Sequence, residues 1–205
     1  MKAQTQVISV VLLTGIIISL VGTAYMWGKP LIEKRTTLTE FSSAMDFILE
    51  LDKRITDLAN SGSGSFYVDI PKGILRVVGY NENDPDNNSI IYEIPVSQPI
   101  AYNASTILLK TSSYDMIGMY GEAEPRIITL NVISNDDGGY TLRFKIYYRE
   151  LDTQTAGYQI ALNPVATSNI ATQRLTVSFE KKETIPGGAS NNGDLILTHM
   201  KAVGV

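Results

Sequence analysis

Asp84, Asp86 and Asn88 alternate within the most polar stretch of the chain, Asn81 to Asn88, and match the first three side-chain oxygens of a calcium loop. The sixth position of such a loop needs a glycine for its sharp turn, and the twelfth needs a bidentate glutamate. Here they are Ser89 and Pro95, so an EF-hand is excluded. Two readings remain, a looser all-oxygen calcium site and a solvated hairpin tip, and the tip is the better one. His199 is the only histidine and there is no cysteine, which leaves neither a zinc cluster nor a thiolate nucleophile. His199 alternates with Leu195 and Leu197, the pattern of a partly buried strand residue rather than a catalytic base. The nucleophile elbow, the phosphate-cradling glycine loop and the H-E-x-x-H helix are all missing. No pair of carboxylates stands out as an acid and its base. The expectation is a non-enzyme that needs no cofactor and no metal. Asn87-Asn88-Ser89 and Asn103-Ala104-Ser105 are acceptor triplets for N-glycosylation at Asn87 and Asn103.

Charge is distributed unevenly along the 205 residues. Lys2 is the one charge before Trp27, so the remainder carries 16 of the 17 lysines and arginines against all 21 acids, a formal −5. A negative domain repels a phosphate backbone, so nucleic acid is a poor partner. Without disulfides the domain must rely on packing, and roughly 140 residues suffice for a core.

From Val7 to Trp27 no residue is charged, and the run is close to the ~20 residues that a helix needs to cross a hydrocarbon core. Ser9, Thr14, Ser19 and Thr23 are tolerable there because each hydroxyl bonds back to a helix carbonyl. Tyr25 and Trp27 end the run, at the level where amphipathic rings favour the headgroups. Gly15, Ser19 and Gly22 lie close together on the helix and allow another helix to approach. The run is longer than a secretory h-region and lacks a small-x-small cleavage site at its end, so it reads as retained.

Met1-Lys2-Ala3-Gln4-Thr5-Gln6, followed at once by that apolar run, resembles the class III signal of archaeal type IV pilins and archaellins. The resemblance covers about the first 30 residues. It implies cleavage between Ala3 and Gln4, with Lys2, Ala3 and Gln4 as the processing site and the helix kept on the mature protein. Val7 and Ile8 stand where the family frequently has an acidic residue. The resemblance also implies export. Lys29, Lys34 and Arg35 after the helix outnumber Lys2 before it, which by charge alone would place the domain inside. Glu33 among them, the leader and the character of the downstream domain favour an extracytoplasmic domain.

Pro30 marks a break, and Thr37-Leu38-Thr39-Glu40 has the spacing of a helix-capping box. Ala44, Ile48, Leu51, Ile55 and Leu58 then recur at helical spacing, which predicts an amphipathic stalk helix. The stripe fits two partners: the chain's own β domain, or a copy of itself in an oligomeric seam. Ser61 to Ser65 reads as a Gly/Ser joint. Beyond it the period becomes two, as in Tyr140 to Tyr148 and Leu175 to Glu180, with turn chemistry between the runs.

The expected organisation is a leader over 1–3, a transmembrane or filament-core helix over 4–28, a stalk helix over 29–60, a joint over 61–65 and an extracytoplasmic domain over 66–205. The fold class is α+β, two successive helices followed by an antiparallel β-sandwich. The expected function is a structural or interaction protein of the archaeal cell envelope, pilin-like or archaellum-accessory-like. It would associate with the membrane, with copies of itself through the N-terminal helices, and with an envelope or S-layer protein. The alternative is a monomeric anchored module that binds an envelope protein or glycan.

Overall fold

The computed structural model describes residues 2–80, 83–100, 106–109, 114–136, 138–165 and 170–205, with side chains from Ser9 onward. One helix, α1 (Lys2–Ser61), runs unbroken for 60 residues, about 90 Å at 1.5 Å per residue. Pro30 lies inside it and ends nothing. A proline removes one backbone hydrogen bond, and the helix continues through that loss into the half packed in the domain. The predicted break at Pro30 and the separate stalk helix are therefore corrected. So is the capping box: Thr37 sits mid-helix and buried, and Glu40 instead pairs with Lys72 at 2.5 Å.

Among the described residues the β region has twelve strands. They are β1 (Ser65–Asp69), β2 (Ile74–Val78), β3 (Ser89–Val96), β4 (Ile107–Leu108), β5 (Ile117–Met119) and β6 (Arg126–Ser134). After these come β7 (Tyr140–Tyr148), β8 (Glu150–Asp152), β9 (Ala156–Pro164), β10 (Ile170–Ala171), β11 (Arg174–Ile185) and β12 (Asp194–Gly204). They form two six-stranded sheets, ordered β1-β11-β12-β9-β8-β5 and β10-β2-β3-β7-β6-β4. The expectation of purely antiparallel pairing fails at two places, since β12 runs parallel to β9 and β5 parallel to β8.

The C-terminal half of α1 belongs to the core. Ala44, Ile48, Leu51, Ile55 and Leu58 join one cluster with Leu75, Tyr92 and Phe144 of the second sheet and Leu175, Val177 and Met200 of the first. Ile48, Leu51 and Ile55 are each 0 % exposed. Phe41 stacks on Phe144 with ring centroids 6.0 Å apart, and Phe47 meets Tyr92 at 5.0 Å. The five stripe residues are thus covered by their own domain and present no seam to a second copy while the domain is folded.

The predicted joint is an ordered cap. Gly62 takes φ +66° and donates its N–H to Leu58 O at 3.1 Å, the left-handed termination that glycine accepts without a Cβ clash. Gly64 O accepts from Phe179 N–H at 3.0 Å, so β1 starts directly against β11.

Candidate functional site

The two halves of α1 differ in what covers them. From Val10 to Ile32 every large apolar side chain is 51–78 % exposed, and the apolar window is 0 % buried. From Thr37 onward one face is in the core. About 40 Å of helix therefore projects beyond the β domain. By length and composition this half of the helix is long and apolar enough to cross a membrane, as an anchor or a signal sequence would be. Thr14, Ser19 and Thr23 donate to the carbonyls of Val10, Gly15 and Ser19 at 2.8–2.9 Å, which removes their polarity from the helix surface. Gly15 and Gly22 are open, with no atom within 4 Å of where a Cβ would stand.

The β domain has a near end and a far end relative to this helix. Gln98 donates to Glu33 at 3.1 Å and Lys72 pairs with Glu40, which marks the near end. Gly62, Gly64 and their contacts with β11 mark the far end. The far end carries an apolar patch that periodicity did not reveal: Met116, Ile117, Met119 and Tyr120 are 47–61 % exposed, and Tyr120 packs on Tyr158 at 5.0 Å. It surrounds β5, the outermost strand of its sheet, beside a cavity of about 570 Å³ lined also by Asp152 and Gln154.

The residues of the calcium reading have other partners. Asp86 takes Arg143 at 2.6 Å, Lys145 at 2.7 Å and Arg76 at 3.4 Å, and Asp84 takes Arg76 at 3.2 Å. Asn88 is buried in a left-handed conformation (φ +50°). Its amide donates to Tyr148 O and Ile160 O, and its oxygen accepts from Leu162 N–H at 3.0 Å, which joins the two sheets. The three groups do not converge on one point, so the calcium reading of this loop gives way to an ion-pair network and a cross-sheet link. Asn87 is exposed at the turn; Asn103 lies outside the described residues. Of the processing residues Lys2, Ala3 and Gln4, only the helical backbone is described. His199 is 8 % exposed on β12, its ring nitrogens near Asn163 Nδ2 (3.0 Å) and Glu183 Oε2 (3.2 Å).

One buried acid escaped the sequence reading. Asp52, on the core face of α1 and 1 % exposed, has Arg126 Nε 2.5 Å from Oδ2 and accepts a long bond, 3.5 Å, from the Tyr148 hydroxyl. Burial is the main influence and pushes its carboxyl up to about 6, against the opposing pull of Arg126 and with a smaller push from Glu124. Tyr148 is raised well above the usual phenol range, chiefly by burial and then by the Asp52 charge. In the unfolded chain Asp52 would ionise near 3.8. A raised carboxyl binds its proton more tightly when folded, so its contribution is complete below pH 4 and lost as pH rises to 6. The loss is about 3 kcal/mol. The difference in melting temperature between wild type and Asp52→Asn should therefore change across pH 4–6 and level off above it, with the asparagine chain no less stable at pH 7. A flat difference curve would show that Asp52 stays ionised throughout.

Comparison with protein-family models, curated proteins and solved structures gives no match to this chain.

Proposed function

We propose that the protein is a membrane-anchored structural or interaction protein of the cell envelope, with the apolar half of α1 as anchor and the two-sheet domain carried outside the membrane. The observation behind this reading is the division of a single continuous helix into an uncovered apolar half and a core-forming half. Such a helix ties the domain rigidly to whatever holds its first half, as a filament subunit or a rigid surface anchor requires. The pilin-like or archaellum-accessory-like assignment rests on Lys2-Ala3-Gln4 ahead of the apolar run. In this reading the domain is a β-sandwich whose interior is completed by α1, and self-association runs through the projecting half, because the stripe from Ala44 to Leu58 is already covered.

The alternative, a monomeric anchored binding module, is favoured by a different observation, the exposed Met116, Ile117, Met119 and Tyr120 at the far end. An apolar patch rimmed by polar residues suits a protein partner. Non-enzymatic function fits both readings.

Flotation with lipid vesicles tests the anchor. The full chain should float with the vesicles, and a chain beginning at Glu33 should stay at the bottom of the gradient; flotation of both would place the membrane contact on the β domain instead. Electron microscopy of detergent-extracted protein separates the two forms of the proposal, with filaments expected for a subunit and discrete particles for a module.

A further inference from the structure

A second cavity lies on the outer face of the β6–β7 pair, turned away from the core. Ile128, Leu130, Phe144 and Ile146 face inward on these strands, which leaves Thr129, Asn131, Arg143, Lys145 and Tyr147 on the outside. The cavity measures about 290 Å³, with those residues as its floor. Pro85 and Asp86 form one wall, from the turn that follows β2, and Tyr114 and Met116 form the other. The Tyr114 hydroxyl donates to Thr106 O at 2.9 Å, which fixes that wall.

The polar groups around this space are mixed in a way that selects a ligand. Arg143 and Lys145 supply N–H donors, yet both are ion-paired, Arg143 with Asp86 at 2.6 Å and Glu93 at 3.3 Å and Lys145 with Asp86 at 2.7 Å, and with Arg76 and Asp84 the cluster balances its cations against its acids. A phosphate or sulfate entering here would meet the Asp86 carboxylate and would have to displace it. Tyr147 is half-buried, and burial raises its phenol above the usual range, so it stays a hydroxyl at neutral pH. Beside the floor, Tyr114 offers an exposed ring, 51 % accessible.

A ligand that suits this lining must donate to Asp86, accept from Arg143 and Lys145, carry no net charge, and present an apolar face to the aromatic ring of Tyr114. A hydroxyl both donates and accepts, and the C–H face of a sugar ring packs on a phenol. We infer that the cavity between the β6–β7 face and Tyr114 is a binding site for a neutral carbohydrate. The inference goes beyond the anchoring function and does not depend on it, since the anchor is the other end of the molecule.

Saturation-transfer NMR on the full chain in a sugar-free amine-oxide detergent tests it. The probes are the methyl glycosides of mannose, galactose and N-acetylglucosamine, with glucuronate and inorganic phosphate as charged comparators. The expected result is transfer to at least one neutral glycoside, with affinity weakened about tenfold or more by Tyr114→Ala, which removes the exposed ring from the wall. Tyr147→Phe should weaken it in the same sense, and a thermal melt identifies either variant that has lost its fold, leaving the other to decide. No transfer to any neutral glycoside would overturn the inference. So would transfer that persists undiminished in a folded variant, or binding confined to glucuronate or phosphate.

Discussion

A chain that begins at Phe66 is expected to remain unfolded, whereas one that begins at Glu33 is expected to fold and melt cooperatively. The shorter chain keeps every strand except the first residue of β1, but loses Ile48, Leu51, Ile55 and Leu58 from the centre of the core. Burying each of these side chains contributes roughly 1.5–3 kcal/mol. Together they account for about as much as the whole net stability of an ordinary domain, roughly 5–15 kcal/mol. Their loss also opens the inner faces of both sheets to water, including Tyr92, Phe144 and Leu175. Circular dichroism and calorimetry on the two chains make the comparison. A cooperative transition in the chain from Phe66 would mean that α1 merely lies against a domain complete without it.

The same substitution at two points of α1 should have opposite consequences. Ile48→Asp puts a carboxylate at a position that is 0 % exposed between the two sheets, with no cation assigned to it. An unpaired buried charge costs several kcal/mol beyond the lost apolar burial, so the domain is expected to lose its cooperative melt at neutral pH. Ile17→Asp changes a side chain that is 51 % exposed and outside the domain. It should leave the melt of the β domain unaltered while reducing membrane insertion, since an aspartate at the centre of a spanning helix costs about 2.5–3.5 kcal/mol. Thermal melts in detergent and the fraction recovered in membranes read the two effects separately. A lowered melting temperature for Ile17→Asp would tie the apolar half to the domain, and an unchanged melt for Ile48→Asp would contradict its place in the core.

Much of this fold was legible in residue periodicity, and the exceptions have physical causes. Alternation located β7 and β11, because each has one buried and one wetter face. β5, β8 and β10 have three, three and two residues, too short for alternation to be seen. The stripe from Ala44 to Leu58 was visible, but a helical apolar face has the same spacing whether it meets a sheet or another helix. Pro30 and Thr37-x-x-Glu40 are local signals that were overridden, since the helix runs on through Pro30 into its packed half and Glu40 pairs at long range with Lys72. Gly62 and Gly64 look flexible as a sequence and serve as a cap because Leu58 and Phe179 supply the hydrogen bonds.

The candidate sites show the same limit more sharply. Asp84 and Asp86 suggested a cation because acids clustered in sequence invite one, while the arginines and lysine that neutralise them arrive from β2 and β7. Asp52 resembled any acid on an amphipathic helix, and only the fold sets it beside Arg126 and Tyr148. The long apolar helix was legible, because length and absence of charge are properties of the chain itself.

The anchoring account is tested most directly by the intact mass of the protein recovered from cell membranes after an alkaline wash. The account predicts that the protein stays in the washed membrane and that its mass includes the whole apolar segment from Val7 to Trp27, with the mature chain beginning at Gln4. A protein released by the wash, or a mass showing that the chain begins beyond Ala24, would contradict it.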